Sequence, residues 1–205
     1  MPVKYDRLAG DVGVTRAKLH VFSCYGDIPA SMRARRTAAA IARLAGKHWR
    51  TTSEMWKIDS LQVSAPIREM ISSDAVNADV VVVSVSSLTQ SEPALTEWLN
   101  AMNARKRGCL FAGLVVGLPG DGETSVMELG CMVESLTRFA RMTGRDFIWH
   151  RMETSVMDDG EWLANGVNDL LSRKLWFEVF GSAFRKLATR CTIAPFELAR
   201  HNRAA

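Results

Sequence analysis

The chain lacks what a membrane-spanning, secreted or disulfide-stapled protein would carry. A spanning helix needs about 20 consecutive apolar residues; the run Ala78 to Val85 stops far short and reads as a buried strand. Met1 to Gly13 alternates charged and small residues, with no apolar segment of the signal-peptide type, so a cytoplasmic location is expected. The four cysteines, Cys24, Cys109, Cys131 and Cys191, are scattered and form no Cys-x-x-Cys pair, which argues against zinc and thiol redox chemistry. Cys24 and Cys109 sit in apolar runs, where cysteine behaves as a small hydrophobe. No internal repeat or low-complexity segment is present.

Several catalytic signatures are also missing. No Gly-x-Gly-x-x-Gly follows the first strand, so a classical dinucleotide site is unsupported, and no Gly-x-Ser-x-Gly marks a serine hydrolase elbow. A phosphorylated receiver domain needs an aspartate at the end of the third strand, where this sequence has Ser84 and Ser86. The loop Gly117 to Thr124, GLPGDGET, has the glycine spacing of a phosphate-binding loop, but Glu123 stands where that loop needs lysine. A carboxylate there would repel phosphate, and a strand-to-helix turn explains the glycines.

What is present fits an ordinary globular protein. A chain of 205 residues can bury one substantial core. Hydrophobic residues make up 47% and charged residues 23%, too apolar for a disordered chain. The net charge of +4 is mild and concentrated late: from Arg173 onward, seven basic residues stand against two acidic ones. A solvated tail accounts for that excess, and nucleic-acid binding would need a broader basic surface with interleaved exposed aromatics.

Strand and helix signals alternate strictly along the chain. KLHVFSCY (18–25) reads as the first strand. Gly26, Asp27 and Pro29 break it, and Ser31 is placed to cap an alanine-rich helix that Gly46 stops. Residues 48–58 form a second strand despite the interruptions of Glu54 and Lys57. Pro66 suits the first turn of the next helix. ADVVVVSVSS follows, and its four consecutive valines cannot alternate between core and water, so both faces must be covered. Continuous apolar strands of that kind belong to parallel sheets between helices.

A helix from Pro93, the strand CLFAGLVVGL, a helix from near Ser125 to Gly144, the strand DFIWHRM and a terminal helical region from Asp159 complete the order. Ser125 and Glu128 have capping-box spacing. The expected fold is therefore α/β: a doubly wound, five-stranded parallel sheet with the flavodoxin-like order 2-1-3-4-5. Expected boundaries are an irregular leader at 1–17, the α/β domain at 18–175, and a helical extension with a basic tail at 176–205.

Ligands of such sheets bind beyond the carboxyl ends of the strands, where the winding reverses. That rim would collect Ser23, Cys24, Tyr25 and Asp27 after the first strand, Ser84, Ser86 and Ser87 after the third, the glycine loop after the fourth, and His150 with Arg151 after the fifth. Of these, Ser23, Tyr25, Asp27, Ser84, Ser86 and Ser87 are the candidate ligand contacts, and no metal site is expected. Arg33, Arg35, Arg36 and Arg43 on the first helix read either as an anion-binding patch or as a solvated face. Around Trp176 to Phe184 the terminal segment holds more aromatic residues than one helical stripe needs, which suggests a homodimer contact.

Two stretches resemble the Toll/interleukin-receptor (TIR) domain family. HVFSCYGD is similar to its opening Val-Phe strand ending in serine and an aromatic residue. IREMISSDAVNADVVVVSVSSLTQSEPALTEWL is similar to its second helix, third strand and following helix. Ser91 and Glu97 have the family's serine-to-glutamate spacing, with Pro93 and Ala94 in place of its Trp-Cys. The resemblance implies a signalling or protein-interaction module. In the family's enzymatic members, that glutamate cleaves the glycosidic bond of NAD.

The expected function is thus a non-enzymatic signalling or interaction module. The alternative is an enzyme acting on the glycosidic bond of NAD or a nucleoside, with Glu97 as the carboxylate that stabilises an oxocarbenium-like transition state and Ser84, Tyr25 and Asp27 as rim contacts. Whether the chain is an enzyme stays open. No cofactor is indicated outright; NAD or a nucleotide-like molecule remains a candidate ligand. FMN suits the fold, with Trp49, Trp56 and Trp98 as candidates to flank its ring, although core packing is the better account of them.

Overall fold

The computed structural model describes residues 17–86, 92–103, 113–120, 126–150 and 162–175. Five strands form one parallel sheet in the order β2-β1-β3-β4-β5. They are β1 (Ala17–Tyr25), β2 (Trp49–Lys57), β3 (Val80–Val85), β4 (Leu114–Pro119) and β5 (Asp146–Trp149). The helices are α1 (Ile28–Ala45), α2 (Ser60–Val63), α3 (Ala65–Asn77), α4 (Glu92–Asn103), α5 (Val126–Met142) and α6 (162–175).

β3 lies between β1 and β4, and all six of its residues are buried. Its odd-numbered valines Val81, Val83 and Val85 join a core with Trp98 of α4 and Leu136 and Phe139 of α5. Its even-numbered valines Val80 and Val82 join a second core with Ala34 and Ile41 of α1 and Leu163, Val167 and Leu170 of α6. The valine run is continuous because helices cover both of its faces.

β2 is the sheet margin beside β1, and this explains its charged composition. Arg50, Thr52, Ser53, Glu54 and Lys57 are exposed, and charges on an edge strand discourage pairing with other chains.

The start of α1 differs from expectation. Asp27, not Ser31, is the N-cap: its carboxylate accepts the Ala30 amide at 2.7 Å. Pro29 falls in the first turn, where it has no amide to leave unsatisfied. Ser31 instead donates its hydroxyl back to the Ile28 carbonyl at 2.7 Å. Ser64 caps α3 with Pro66 in its first turn, as the proline predicts. Ser125 lies outside the described residues.

The two ends of the sheet are built differently. At the amino end, the Asp79 carboxylate accepts from the His20 amide at 2.7 Å and from the Lys174 ammonium at 2.5 Å. Arg173 of the same helix pairs with Asp146 and with Asp169. The buried Arg145 guanidinium donates to the carbonyls of Ala75, Val76 and Ala78 at 2.9–3.1 Å. Charge and hydrogen bonds close this end, and Lys174 and Arg173 fasten α6 across it. Among the described residues, no helix is long and apolar enough to cross a membrane.

Candidate functional site at the carboxyl end of the sheet

The strand order reverses between β1 and β3, so their carboxyl ends flank the switch point where open α/β sheets take ligands. Tyr25, Gly26 and Asp27 form a short turn into α1. Ser86 follows β3, and Gly120 follows β4. The Gly120 amide donates to the Val85 carbonyl at 2.8 Å. A Cβ on Gly120 would lie 2.9 Å from both the Arg33 guanidinium and the Ser86 Cα, so only glycine fits there without movement.

Three side chains meet at this point. The Ser86 hydroxyl donates to the Asp27 carboxylate at 2.9 Å and accepts from the Arg33 guanidinium at 2.8 Å. Arg33 is 3% exposed. It is thus no member of a solvated arginine face; Arg35, Arg36 and Arg43 remain exposed.

A cleft of about 210 Å³ opens beside this cluster. Tyr25 of β1, Met55 of β2, and Ser31, Met32 and Arg35 of α1 line it. Tyr25 is paired in register with Lys57, whose ammonium sits 2.5 Å from Asp59. The Lys57 pKa is raised, first by that hydrogen bond and then by the Asp59 charge, with smaller contributions from Tyr25 and Asp27. A permanent cation therefore stands at the same end of the sheet.

Of the expected contacts, the structure brings Tyr25, Asp27 and Ser86 together. Ser23 and Ser84 are a correction. Both are fully buried on the face that α1 and α6 cover, and their hydroxyls have no hydrogen-bond partner among the described residues. The sequence places them near the strand ends, but side-chain alternation turns them inward. Ser87 and Arg151 lie outside the described residues, as do Trp176 to Phe184, where a dimer contact is expected. His150 stacks on Trp162, with ring centroids 4.2 Å apart, and so packs β5 against α6. Met32 and Met55 were missed, and Arg35 reads in the sequence only as part of an arginine patch; that the three gather beside Tyr25 emerges only once β2 is paired with β1 and α1 is packed over them.

Glu97 is a second correction. It is exposed on α4, in a groove of about 70 Å³ with Leu61, Gln62, Arg68, Ala94, Trp98 and Ala101. That groove has no residue in common with the Tyr25 cleft. A catalytic carboxylate with Tyr25, Asp27 and Ser84 as its contacts is therefore not assembled. The tryptophans do not line the cleft at the switch point either: Trp56 packs against the core on the opposite face of the sheet from Met55. Trp98 is buried against Phe22, 5.8 Å between ring centroids, and donates to Ser72 at 3.0 Å. Trp49 stands at the amino end of β2 beside Lys174.

Cys24 is buried in β1, and burial pushes its thiol pKa up to about 12. It is inert packing at neutral pH. Cys131 is exposed, and no cluster of metal-ligating side chains occurs among the described residues.

The turn after β1 is also where this type of fold places phosphate, on the amides at a helix N-terminus. Here the cradle is poor. Pro29 supplies no amide, the Ala30 amide is taken by Asp27, the Gly26 amide is taken by the Ser84 carbonyl, and the Ser31 amide bonds to the Asp27 carbonyl. The Asp27 carboxylate adds a negative charge at the same point. The residues present do not fit the phosphate of FMN at this turn.

Neither a protein-family model nor a curated protein sequence matches the chain. Solved structures do. A flavodoxin from Streptococcus pneumonia TIGR4 matches with a TM-score of 0.50 and 14% identity, over 75% of this chain and 99% of its own. An oxidoreductase from Corynebacterium diphtheriae matches with a TM-score of 0.51 and 13% identity, over 78% of this chain and 97% of its own. The fold matches, a flavodoxin and an oxidoreductase, run against the expectation of a TIR-like signalling module, and Glu97, apart from the Tyr25 cleft, leaves the glycosidic-bond enzyme built on it without its site. The sheet order and these likenesses together establish a flavodoxin-like α/β fold.

Proposed function

We propose that the carboxyl end of the sheet holds a planar ring of the flavin class, gripped through the ring and not through a phosphate on α1. The Tyr25 cleft carries this reading. Its walls are an aromatic ring and the thioethers of Met32 and Met55, which suit a flat conjugated surface. Arg35 adds donors for ring carbonyl oxygens, and the Ser31 hydroxyl, whose proton goes to the Ile28 carbonyl, offers its oxygen to a ring N–H. A volume of about 210 Å³ is below the roughly 300–1,000 Å³ of full ligand pockets, and so accords with part of a ring system and not a whole nucleotide. Likeness in fold to a flavodoxin and to an oxidoreductase supports the same class. When bound, such a ring supplies electron or hydride transfer. The chain contributes a stacking face from Tyr25 and positive charge from Arg35, which favours any negative charge on the ring.

Titration with riboflavin, followed by quenching of its fluorescence, tests the proposal. Saturable quenching is expected, weakened about tenfold in Tyr25→Ala and in Arg35→Ala, a loss of about 1.4 kcal/mol each. Absence of saturable quenching, or quenching indifferent to both substitutions, would refute it.

A further inference from the structure

We infer that the outward stripe of α1 docks on a membrane surface rich in anionic lipid, its arginines against the headgroups and Ile28 and Met32 entering among them at one end. Ile28, Met32, Arg35, Arg36, Ala39 and Arg43 are exposed and recur at the spacing of one helical face. The buried residues of α1, among them Ala34, Ala38 and Ile41, lie on the opposite face and pack on the sheet. From Ile28 to Arg50 the chain holds no acidic residue. Lys47 and Arg50, just past the helix, are exposed as well and join Arg35, Arg36 and Arg43. None of these cations forms an ion pair among the described residues, whereas exposed Lys57 and Arg138 on other elements each hold a carboxylate. Asp27 and Glu54 are the nearest acids in sequence on either side. Asp27 is engaged by the Ala30 amide and the Ser86 hydroxyl, and Glu54 lies 3.8 Å from His20.

Charge of one sign selects an anionic partner, and the rest of the stripe selects lipid over protein or nucleic acid. A protein interface fixes its register with complementary charges arranged across it, and here only one sign is present. The stripe runs about 22 Å from Ile28 to Arg43 along the outer side of the helix. A fluid plane of headgroups meets such a line with no register to satisfy. Nucleic acid carries the same charge but gives Ile28 nothing apolar to enter. Ile28 is 78% exposed and Met32, one turn on, is 53% exposed. Interfacial helices combine these two features, a basic face and apolar side chains that reach the boundary between headgroups and acyl chains. Each Lys or Arg held near an anionic leaflet strengthens binding about fivefold. Met32 and Arg35 also line the Tyr25 cleft, so docking sets the mouth of that cleft against the headgroups. The docking needs no ligand in the cleft and is independent of the flavin reading.

Co-sedimentation of the full chain with vesicles tests the inference. One set is phosphatidylcholine alone and the other contains about one-third phosphatidylserine, each in about 0.1 M and about 1 M salt, where charges are screened over about 10 Å and about 3 Å. Binding is expected only to the phosphatidylserine vesicles and only in the lower salt. The basic residues from Arg173 onward are also drawn to such vesicles, so substitutions on α1 decide. Arg36→Gln combined with Arg43→Gln removes two cations at exposed helix positions and should weaken binding roughly 25-fold. Ile28→Ala keeps every charge and should weaken it about fivefold or more through lost insertion. Met70→Ala, at an exposed apolar residue of α3, should bind as wild type does. No sedimentation with phosphatidylserine vesicles in the lower salt, or sedimentation indifferent to either α1 change, would overturn the inference. So would release from the vesicles by duplex DNA or polyglutamate at equal charge concentration, which would assign the stripe to a nucleic acid or an acidic polypeptide.

Discussion

The Ser86 hydroxyl donates to the Asp27 carboxylate at 2.9 Å, closing a contact between the ends of two strands that are neighbours in space and 59 residues apart in sequence. Because Arg33 is buried and donates to the same oxygen, Ser86→Ala removes an acceptor from a charged donor that water reaches poorly. A loss of about 1–3 kcal/mol is expected in urea unfolding. Ser53→Ala, on the exposed margin strand, is expected to stay within about 0.5 kcal/mol of wild type. A Ser86 variant no worse than the Ser53 control would show that the three-membered chain does not hold the strand ends together.

Cys24 gives the fold a pH dependence whose sign is fixed. Its thiol pKa is pushed from the ordinary 9.0 up to about 12 in the folded chain, because burial opposes the thiolate. A raised folded pKa contributes stability that is whole below the unfolded pKa and is lost as pH rises toward the folded one. Between pH 9 and 12 the wild type should therefore lose about 1.4 kcal/mol per pH unit more than Cys24→Ala. Denaturant unfolding of both proteins at pH 8, 9 and 10 measures that difference. In the native state at pH 8, peptide mapping after alkylation should find Cys131 modified and Cys24 untouched, since only the former is exposed.

Gly166 marks where α6 presses against β5. A Cβ there would lie 2.2 Å from the Ile148 Cδ1 and 3.6 Å from the Leu114 Cδ1. Glycine inside a helix costs about 1 kcal/mol relative to alanine, so the close approach must outweigh that. Gly166→Ala is expected to destabilise by about 1–3 kcal/mol through overpacking. Ile148→Val deletes the clashing methyl. In that background the Gly166→Ala cost should fall to near zero or change sign, a coupling readable in a double-mutant cycle. Additive effects would mean that α6 does not lie against Ile148.

The architecture was legible in the residues for a physical reason. Val80 to Val83 leave no polar face, so the strand had to be central and covered, and strict alternation of strands with helices does the rest. β2 was harder to read because a margin strand keeps Arg50, Glu54 and Lys57 in water and loses its apolar period. The site was only partly legible. Tyr25, Asp27 and Ser86 follow from strand ends. Ser23 and Ser84 look like rim hydroxyls in the sequence and are buried by alternation, which the run VVVVSV hides because both of its faces are apolar. Arg33 reads as one of four helix arginines, and nothing local distinguishes it. Its burial follows from α1 beginning at Ile28, which turns that position toward Ser86 and Gly120. Glu97, in the second turn of α4, has an ordinary explanation as a solvated acid on the helix's exposed face.

Arg145 separates the two ends of the sheet experimentally. Its guanidinium satisfies the last carbonyls of α3 at Ala75 and Val76 and the one at Ala78, and it lies 5.5 Å from the Phe139 ring centroid. Arg145→Met keeps much of the stem's bulk but leaves those carbonyls without their donor, and should cost about 2–4 kcal/mol in urea unfolding. Arg145→Lys restores a charged donor without the planar fork and should recover part of that loss. Hydrogen exchange should locate the damage at the end of α3 and the start of β3. Because the Tyr25 cleft is at the opposite end of the strands, riboflavin affinity of the still-folded Arg145→Lys protein should match wild type, whereas Tyr25→Ala should lose affinity with a smaller change in stability. If Arg145→Lys weakened the ligand as much as Tyr25→Ala does, the division of labour between a salt-bridged amino end and a ligand-facing carboxyl end would be wrong.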